Sequence, residues 1–219
     1  MGFTEEQLKD LAQQLSKPNG EQGINVANMM HDTNIGMTNS TIKALNIADT
    51  DRVLELGHGN CKHLSEILNK AENTSYVGLE ISELMQKEAI QYNTPAILEN
   101  KASFHLYDGN KIPFDDNTFD KILTVNTIYF WKNPKAFIKE IYRVIKPEGS
   151  LAISFADKNF METLPFTAYV FNLYSKEQAS HLAKIAGFSM ISINSYTEIV
   201  KSKAGYEVER TFHMAIAKK

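Results

Sequence analysis

The sequence predicts an α/β fold built on a mostly parallel sheet, and three observations support this. From Asp51 onward, short apolar runs typical of buried strands alternate with amphipathic helical stretches. The first of these strands, residues 53–56, runs directly into a turn that contains Gly57 and Gly59. The last two predicted strands have no long helix between them, which predicts an antiparallel pair. The expected sheet is therefore parallel over most of its width and ends in one antiparallel hairpin.

The composition is that of a globular protein and argues against several classes of function. A chain of 219 residues can bury a full core. Its net charge of −3 and pI near 6.1 argue against a nucleic-acid partner, which would require a clustered basic surface. The sequence has neither an apolar run that could span a bilayer nor the apolar stretch of a signal peptide, so we expect a cytoplasmic protein with no membrane partner. A single cysteine, Cys61, permits no internal disulfide and no cage of thiolates, and we expect no metal site.

A helical extension over residues 1–45 is predicted to precede the α/β region. Thr4 and Gln7 have the spacing of a capping box, and Leu8, Leu11 and Leu15 fall on one face of the helix that follows. Residues 24–45 are rich in Asn, Met and Thr and lack a clean apolar period, so short helices are expected there.

The α/β region, residues 46–219, begins with five strands separated by helices. Asn133 and Pro134 have the cap and first-position identities of a helix start. Strands separated by helices in this way indicate βαβ units. The predicted strands cover residues 53–56, 75–81, 102–107, 119–125 and 151–155; the helices carry Leu64, Ile67 and Leu68, residues 82–92, and the stripe Phe137, Ile141, Val144 and Ile145.

The C-terminal third differs in character. Residues 158–174 form an aromatic insertion, for which packing against the lid and core is the preferred interpretation and an apolar substrate wall the alternative. Ser175 and Gln178 predict a second capping box, opening a helix that ends at Gly187. Residues 188–196 and 212–217 are the two strands of the terminal hairpin.

The glycine turn after the first strand predicts a site for a nucleoside-containing cofactor. Gly57 and Gly59 allow a sharp turn and leave no Cβ to block a ligand. The helix that follows directs its N–H groups and positive dipole end toward that ligand. Glu80, at the end of the second strand, is placed to accept hydrogen bonds from ribose hydroxyls. An ordinary tight turn and a solvated carboxylate are the plainer interpretations.

The surrounding segments favour one family of cofactor sites. A dinucleotide-binding fingerprint would need glycine at position 62, where this chain has Lys62. The chain instead resembles the class I S-adenosylmethionine-dependent methyltransferases, especially the small-molecule group that includes the ubiquinone and menaquinone biosynthesis enzymes. The resemblance covers residues 51–155 and rests on the first motif (residues 53–59), Glu80, the pair Asp108 and Gly109, and residues 112–120 and 141–149.

This resemblance implies a fold, a cofactor and a set of binding residues. The implied fold is a Rossmann-like three-layer sandwich with a seven-stranded, mostly parallel sheet whose C-terminal strand is antiparallel, and the implied cofactor is S-adenosyl-L-methionine. Residues 1–45 would form a lid, and residues 46–219 the methyltransferase domain. The implied cofactor-binding residues are Glu55, Gly57, His58, Gly59, Glu80, Ile81, Asp108, Gly109 and Asn126.

Several of these residues have a second interpretation. Asp108 and Gly109 could form a common Asp-Gly turn. Glu55, inside a buried strand, needs partners; we expect backbone amides or water near the methionine end of the cofactor, with a structural role as the alternative. His58 could point away from the ligand. Where the family has a third glycine in its first motif this chain has Cys61, a small residue that could still weaken cofactor binding.

The sequence identifies no dedicated catalytic residue. His31 in the predicted lid is a candidate general base, and Tyr129 either lines the pocket or belongs to the core. The predicted substrate is a small, partly apolar molecule methylated on O, N, C or S, and the protein is a monomer or a homodimer. The alternatives are a non-catalytic member of the fold that binds a cofactor or partner, and an NAD(P)-dependent oxidoreductase.

Overall fold

The computed structural model describes residues 3–201 and 207–219, and it begins with two helices. Helix α1 spans Glu5–Ser16, and its N-terminus carries the predicted capping box between Thr4 and Gln7. Helix α2 spans Gly20–Ala44. No helix in the described part of the chain is both long and apolar enough to cross a membrane.

Helix α2 corrects the expectation of short helices in residues 24–45, because it is one continuous helix of 25 residues. Its regular spacing is hidden in the sequence because its inward face is partly polar. Ala27, Met37, Thr38 and Thr41 are all buried on that face. Thr41 Oγ1 lies 2.6 Å from Ser154 Oγ on the sheet. Contacts with the sheet, rather than apolar periodicity, therefore hold this helix.

The sheet has seven strands in the order β3-β2-β1-β4-β5-β7-β6, which confirms the predicted architecture. Strands β1 to β5 pair in parallel, and β7 lies antiparallel between β5 and β6. The fifth strand starts earlier than predicted and passes through Glu148, whose φ is +65°. The strands are β1 (Arg52–Leu56), β2 (Ser75–Glu80), β3 (Ala102–Leu106), β4 (Phe119–Val125), β5 (Ile145–Ala156), β6 (Ser189–Lys201) and β7 (Glu207–Lys218).

Helices cover both faces of this sheet and complete three layers. Neighbouring residues of one strand enter different cores: Leu54 packs in the larger cluster and Val53 in the smaller one. The remaining helices are α3 (Leu64–Leu68), α4 (Glu83–Tyr92), α5 (Thr94–Leu98), α6 (Pro134–Val144), α7 (Lys158–Glu162) and α8 (Lys176–Ala186).

The aromatic insertion forms α7 and a 3₁₀ turn over Pro165–Ala168, which contacts α1. Its Phe171 ring packs 4.7 Å from that of Phe130 and 5.7 Å from that of Tyr129. The insertion thus joins the N-terminal helices to the segment that follows β4.

Candidate cofactor site

A cavity lies where the carboxyl ends of β1, β2 and β4 meet α2, which we call the lid helix. It brings together eight of the nine predicted cofactor residues: Glu55, Gly57, His58, Gly59, Glu80, Ile81, Gly109 and Asn126. The predicted base His31 also lines it, whereas Asp108 and Tyr129 do not. The lid helix adds Ala27, Met30, Asn34 and Thr38, and the rest of the wall includes Leu15, Pro18, His63, Met85, Tyr107, Phe130 and Trp131.

The glycine turn after β1 supplies an open cradle at the floor of the cavity. Gly57 has φ of +72°, and its N–H donates to Leu79 O at 2.8 Å. Gly59 has φ of +58°, and a Cβ built on it would meet no atom within 4 Å. Backbone is therefore exposed to an empty space at a position where any side chain would project into that space.

Glu80 closes the turn from the neighbouring strand. The residue is 6% exposed, and its carboxylate accepts the N–H groups of Gly59 at 3.1 Å, Ile81 at 2.6 Å and Ser82 at 3.1 Å. These bonds fix both oxygens while the group still lines the cavity. The result is an immobile acceptor of the kind that binds ribose hydroxyls.

Glu55 lies below the turn in a buried network that differs from the predicted one. Its carboxylate accepts from His63 Nε2 at 2.9 Å and Tyr76 OH at 2.7 Å, in place of backbone amides. Burial alone would raise the pKa of Glu55, but the charge and hydrogen bond of His63 and the hydroxyl of Tyr76 hold it below its usual value. The same pairing raises the pKa of His63 against the effect of burial.

Cys61 completes that network. Its Sγ lies 3.2 Å from Tyr76 OH, and burial raises the pKa of the thiol well above its usual value. Glu55, Cys61 and His63 place three possible metal-ligand atoms within 4.8 Å of one another. Each of these atoms has a hydrogen-bond partner within the network.

His58 is buried beside the turn with one nitrogen unpaired. Its Nδ1 lies 2.7 Å from Gly59 O, so Nδ1 carries the proton and Nε2 is an acceptor. Among the described residues Nε2 has no hydrogen-bond partner. Burial lowers the pKa of His58 and keeps the ring neutral. The ring lies against Phe104, 5.1 Å between ring centroids, and its unpaired Nε2 is fully buried.

Asn126 and Tyr129 form a second polar group at the end of β4. Asn126 has φ of +56°, lines the cavity and donates from Nδ2 to Asn34 Oδ1 at 3.1 Å. Tyr129 OH donates to Asn126 Oδ1 at 3.0 Å and accepts the Ala156 N–H at 2.6 Å. Burial raises the pKa of Tyr129 far above its usual value. Tyr129 thus supports Asn126 from the core side, in line with the core alternative stated above.

His31 extends from the lid helix over His63. The two rings are stacked with centroids 6.4 Å apart and an interplanar angle of 15°. Burial first, and the neighbouring His63 second, lower the pKa of His31. The lid therefore presents a half-buried, neutral imidazole to the cavity.

Comparison with known proteins agrees with this arrangement of sheet, turn and acid. Residues 54–153 match the model of a methyltransferase domain family. The matched segment is a little under half of the chain and includes the glycine turn, Glu80 and Asn126. The Bacillus subtilis protein YrhH, itself named as a methyltransferase, is 31% identical over 113 residues, which are 52% of this chain and 62% of YrhH. The chain thus matches less than two thirds of this relative's length.

Two solved structures share the fold over the whole chain. A Haloferax volcanii protein in complex with the Trm112 methyltransferase activator has a TM-score of 0.75 at 16% identity, covering 100% of this chain and 99% of that one. Phosphoethanolamine N-methyltransferase 2 of Haemonchus contortus, in complex with S-adenosyl-L-methionine, has a TM-score of 0.72 at 16% identity and covers 100% of this chain and 60% of that one.

Cys61 departs from the first motif of the family that the chain resembles, without closing the cradle. Cys61 keeps the positive φ expected of a glycine, at +47°. Its thiol points to Tyr76 and is absent from the cavity wall. The space beside Gly59 therefore stays open. The open cradle and the fixed Glu80 carboxylate line the same cavity.

Asp108 lies outside the cavity. Its exposed carboxylate accepts the N–H groups of Asn110 at 2.8 Å and Lys111 at 2.9 Å, and these bonds lower its pKa. The Asp-Gly turn considered as the alternative is therefore present, and Tyr107 and Gly109 on either side reach the cavity instead.

Sequence reasoning missed His63, Asn34, Met85 and Tyr107. One signal was available for His63, since a carboxylate in a buried strand needs a partner and His63 immediately precedes the next helix. The other three residues show no local pattern, because only tertiary packing brings them to the cavity.

Proposed function

We propose that this protein transfers the methyl group of S-adenosylmethionine to a small, uncharged and partly apolar molecule. The observation that carries the proposal is the meeting of the open Gly59 cradle with the fixed Glu80 carboxylate under the lid helix. Glu80 would bind the ribose, Gly57 and Gly59 the amino-acid part, and Ile81, Met85 and Tyr107 the adenine side. When bound, the cofactor supplies a methyl group activated on sulfonium sulfur.

The protein's own contribution is to position the acceptor and exclude water. Positioning of this kind can lower a barrier by about 7–11 kcal/mol in favourable models. The half-buried His31 is proposed as the base that takes a proton from an acceptor with a weakly ionised nucleophile. Because its pKa is lowered, this function would be retained at neutral pH and lost as the pH falls through that lowered value.

The cavity wall supports an uncharged acceptor. The described residues that line it include no Lys, Arg or Asp, and its two carboxylates, Glu55 and Glu80, are already hydrogen-bonded. The apolar part of the wall is formed by Leu15, Met30, Phe130 and Trp131. A phosphorylated or carboxylated acceptor, or a nucleic acid, would find no lysine or arginine there, and His63 is already paired with Glu55. A small molecule in the cytoplasm, rather than a macromolecule, is therefore the proposed substrate.

Titration calorimetry with S-adenosylhomocysteine and, separately, NAD tests the cofactor assignment. We expect S-adenosylhomocysteine to bind and NAD not to bind. Glu80→Gln should weaken that binding by about tenfold or more, because a hydrogen bond to a charged group contributes about 1.5–3 kcal/mol. The control is Glu140→Gln, a carboxylate that also accepts a backbone N–H, 3.2 Å from Ile112 N, outside the cavity. Tight binding of NAD would instead favour the oxidoreductase alternative.

A radiolabelled methyl donor then distinguishes an enzyme from a non-catalytic binder. Neutral, partly apolar alcohols, amines and thiols should be labelled in preference to their phosphorylated or carboxylated analogues. With an acceptor found in this way, His31→Asn should lower kcat by about 10²-fold, the lower end of the range for general-base catalysis. Cofactor binding without transfer to any member of such a panel would support the non-catalytic alternative.

A further inference from the structure

Arg210 is a buried cation that joins the C-terminal hairpin to the lid helix. It is 7% exposed and stands directly opposite Glu198 in the β6–β7 register. Its Nε and Nη2 donate to Glu198 Oε1 at 3.1 and 2.6 Å. Its other bonds leave the hairpin: Nη2 donates to Thr33 O at 2.7 Å and Nη1 to Asn34 Oδ1 at 3.0 Å. One guanidinium therefore holds two residues of the lid.

The fit of the hairpin against the lid depends on a glycine. A Cβ added to Gly36, one turn along from Thr33, would collide with the Glu198 carboxylate. Glu198 can therefore lie against the lid helix and still accept both bonds from Arg210. The ion pair and the lid contact form a single packed unit.

Arg210 also fixes which way two amides in the cavity wall point. A guanidinium has donors only, so the atom of Asn34 that faces it must be the oxygen. At the other end, the Ala156 N–H, whose shorter bond goes to Tyr129 OH at 2.6 Å, also lies 3.3 Å from Asn126 Oδ1, which favours oxygen there too. The Asn126 nitrogen consequently faces Asn34 Oδ1. The orientation of both amides follows from these two obligatory donors.

Two side-chain N–H bonds of Asn34 and one of Asn126 then remain without an acceptor. Both residues line the cavity. No described protein group accepts those remaining N–H bonds, so they are free for a bound molecule. We infer that Arg210 is a positioning residue. It holds the lid helix against Asn126 and orients the Asn34 and Asn126 amides so that N–H groups, rather than oxygens, can donate to an oxygen atom of the bound cofactor. This inference rests on the proposed function for the identity of the ligand.

The first experiment tests positioning with Arg210→Met. S-adenosylhomocysteine affinity is measured by calorimetry, and amide hydrogen exchange is followed in residues 30–38 with and without ligand. Loss of bonds to a charged group should weaken binding by about tenfold or more and speed exchange in that segment. Unchanged affinity together with unchanged exchange would overturn the inference.

Arg143→Met is the matched control. Arg143 is also an arginine with several partners: it bonds two carboxylates and two carbonyls, those of Glu140, Asp116, Ile112 and Phe114, and none of these residues lines the cavity. It should lower the melting temperature but leave affinity within about twofold. If wild-type protein binds no S-adenosylhomocysteine, the proposed function fails, whereas lid exchange in the ligand-free protein still decides whether Arg210 holds the lid.

The second experiment, Asn34→Asp, tests the direction of the amides. An aspartate keeps the oxygen that Arg210 and Asn126 contact, so thermal stability should be retained or increased. It replaces the two free N–H bonds by an acceptor, so S-adenosylhomocysteine binding should weaken by about fivefold or more. Equal or tighter binding by this variant would show that the lid does not donate to the ligand.

Discussion

At the scale of single residues, two glycines with nearly equal positive φ give a matched test of the cradle. Gly59 and Gly20 have φ of +58° and +60°, and neither would bring a Cβ within 4 Å of another atom. Alanine at either position should therefore cost about 1 kcal/mol for its left-handed conformation. Only Gly59 lines the cavity. Gly59→Ala should lose S-adenosylhomocysteine affinity by calorimetry, and Gly20→Ala should not; equal losses would place the ligand elsewhere.

The Glu55–His63 pair gives the protein a predictable pH dependence of stability. The pKa of His63 is raised on folding from its ordinary value of 6.5, so its contribution is full below pH 6.5 and is lost as pH rises through the folded value. The pKa of Glu55 is lowered from 4.5, so its contribution is present above pH 4.5 and is lost as pH falls through the folded value. The pair stabilises the fold most between these limits.

Substitution of His63 isolates this effect. His63→Gln should flatten the fall in urea-unfolding free energy between pH 5.5 and pH 8.5, because glutamine does not titrate. His105→Gln, at an exposed histidine bonded to Ser103, should leave the wild-type profile. A His63→Gln profile that still falls like that of the wild type would mean that another group titrates. Truncation to alanine would leave the buried Glu55 carboxylate without its partner, which costs about 3–5 kcal/mol. Glutamine can still donate a hydrogen bond to Glu55.

Residues of the candidate site could be predicted from the sequence only where they directly follow a predicted strand. Gly57, Gly59 and Glu80 follow strands directly, so reading the strands located them. Asp108 also follows a strand, but its carboxylate accepts hydrogen bonds from N–H groups of its own turn. An Asp-Gly pair looks the same in either case. Local sequence does not record whether neighbouring N–H groups or a ligand will use that carboxylate.

At the scale of elements, the C-terminal end of α6 is closed by a side chain from far along the sequence. Lys219 Nζ donates at 2.8 Å to the carbonyls of Tyr142 and Ile145, which the helix itself leaves unpaired. Burial lowers the pKa of this amine. Lys219→Met should reduce the free energy of unfolding by about 1–2 kcal/mol. Lys218→Met, at an exposed neighbour, should change it little; equal effects in urea titrations would refute the cap.

Element prediction succeeded where a helix or strand has one apolar face and failed for the lid. Helix α6 shows its stripe in sequence because it packs on the core. The lid helix turns Asn34 and Thr38 toward the cavity, so its inward positions read as polar and its period disappears. Its continuity depends on contacts with residues as distant as Ser154 and Arg210. Single-sequence periodicity contains no information on such contacts.

At the scale of the whole molecule, the antiparallel hairpin was predictable because no crossover helix separates its strands. Its length was not: β6 and β7 reach beyond the predicted residues 188–196 and 212–217, and the extension carries Glu198 and Arg210 to the lid. The sheet order follows from parallel connections and their handedness. The contact between hairpin and lid depends on side chains that meet only after the sheet has formed.

The whole-molecule prediction concerns stabilisation by ligand. S-adenosylhomocysteine at 100 times its Kd should add about 2.7 kcal/mol to the free energy of unfolding, which for a chain of this length corresponds to about 5–11 °C in Tm. NAD at the same concentration should produce no shift. Because the ligand would contact β1, β2, β4 and the lid together, the thermal unfolding transition should shift to higher temperature as a single step. An unshifted Tm in wild type, with Gly59→Ala behaving identically, would remove the cavity from consideration as the cofactor site.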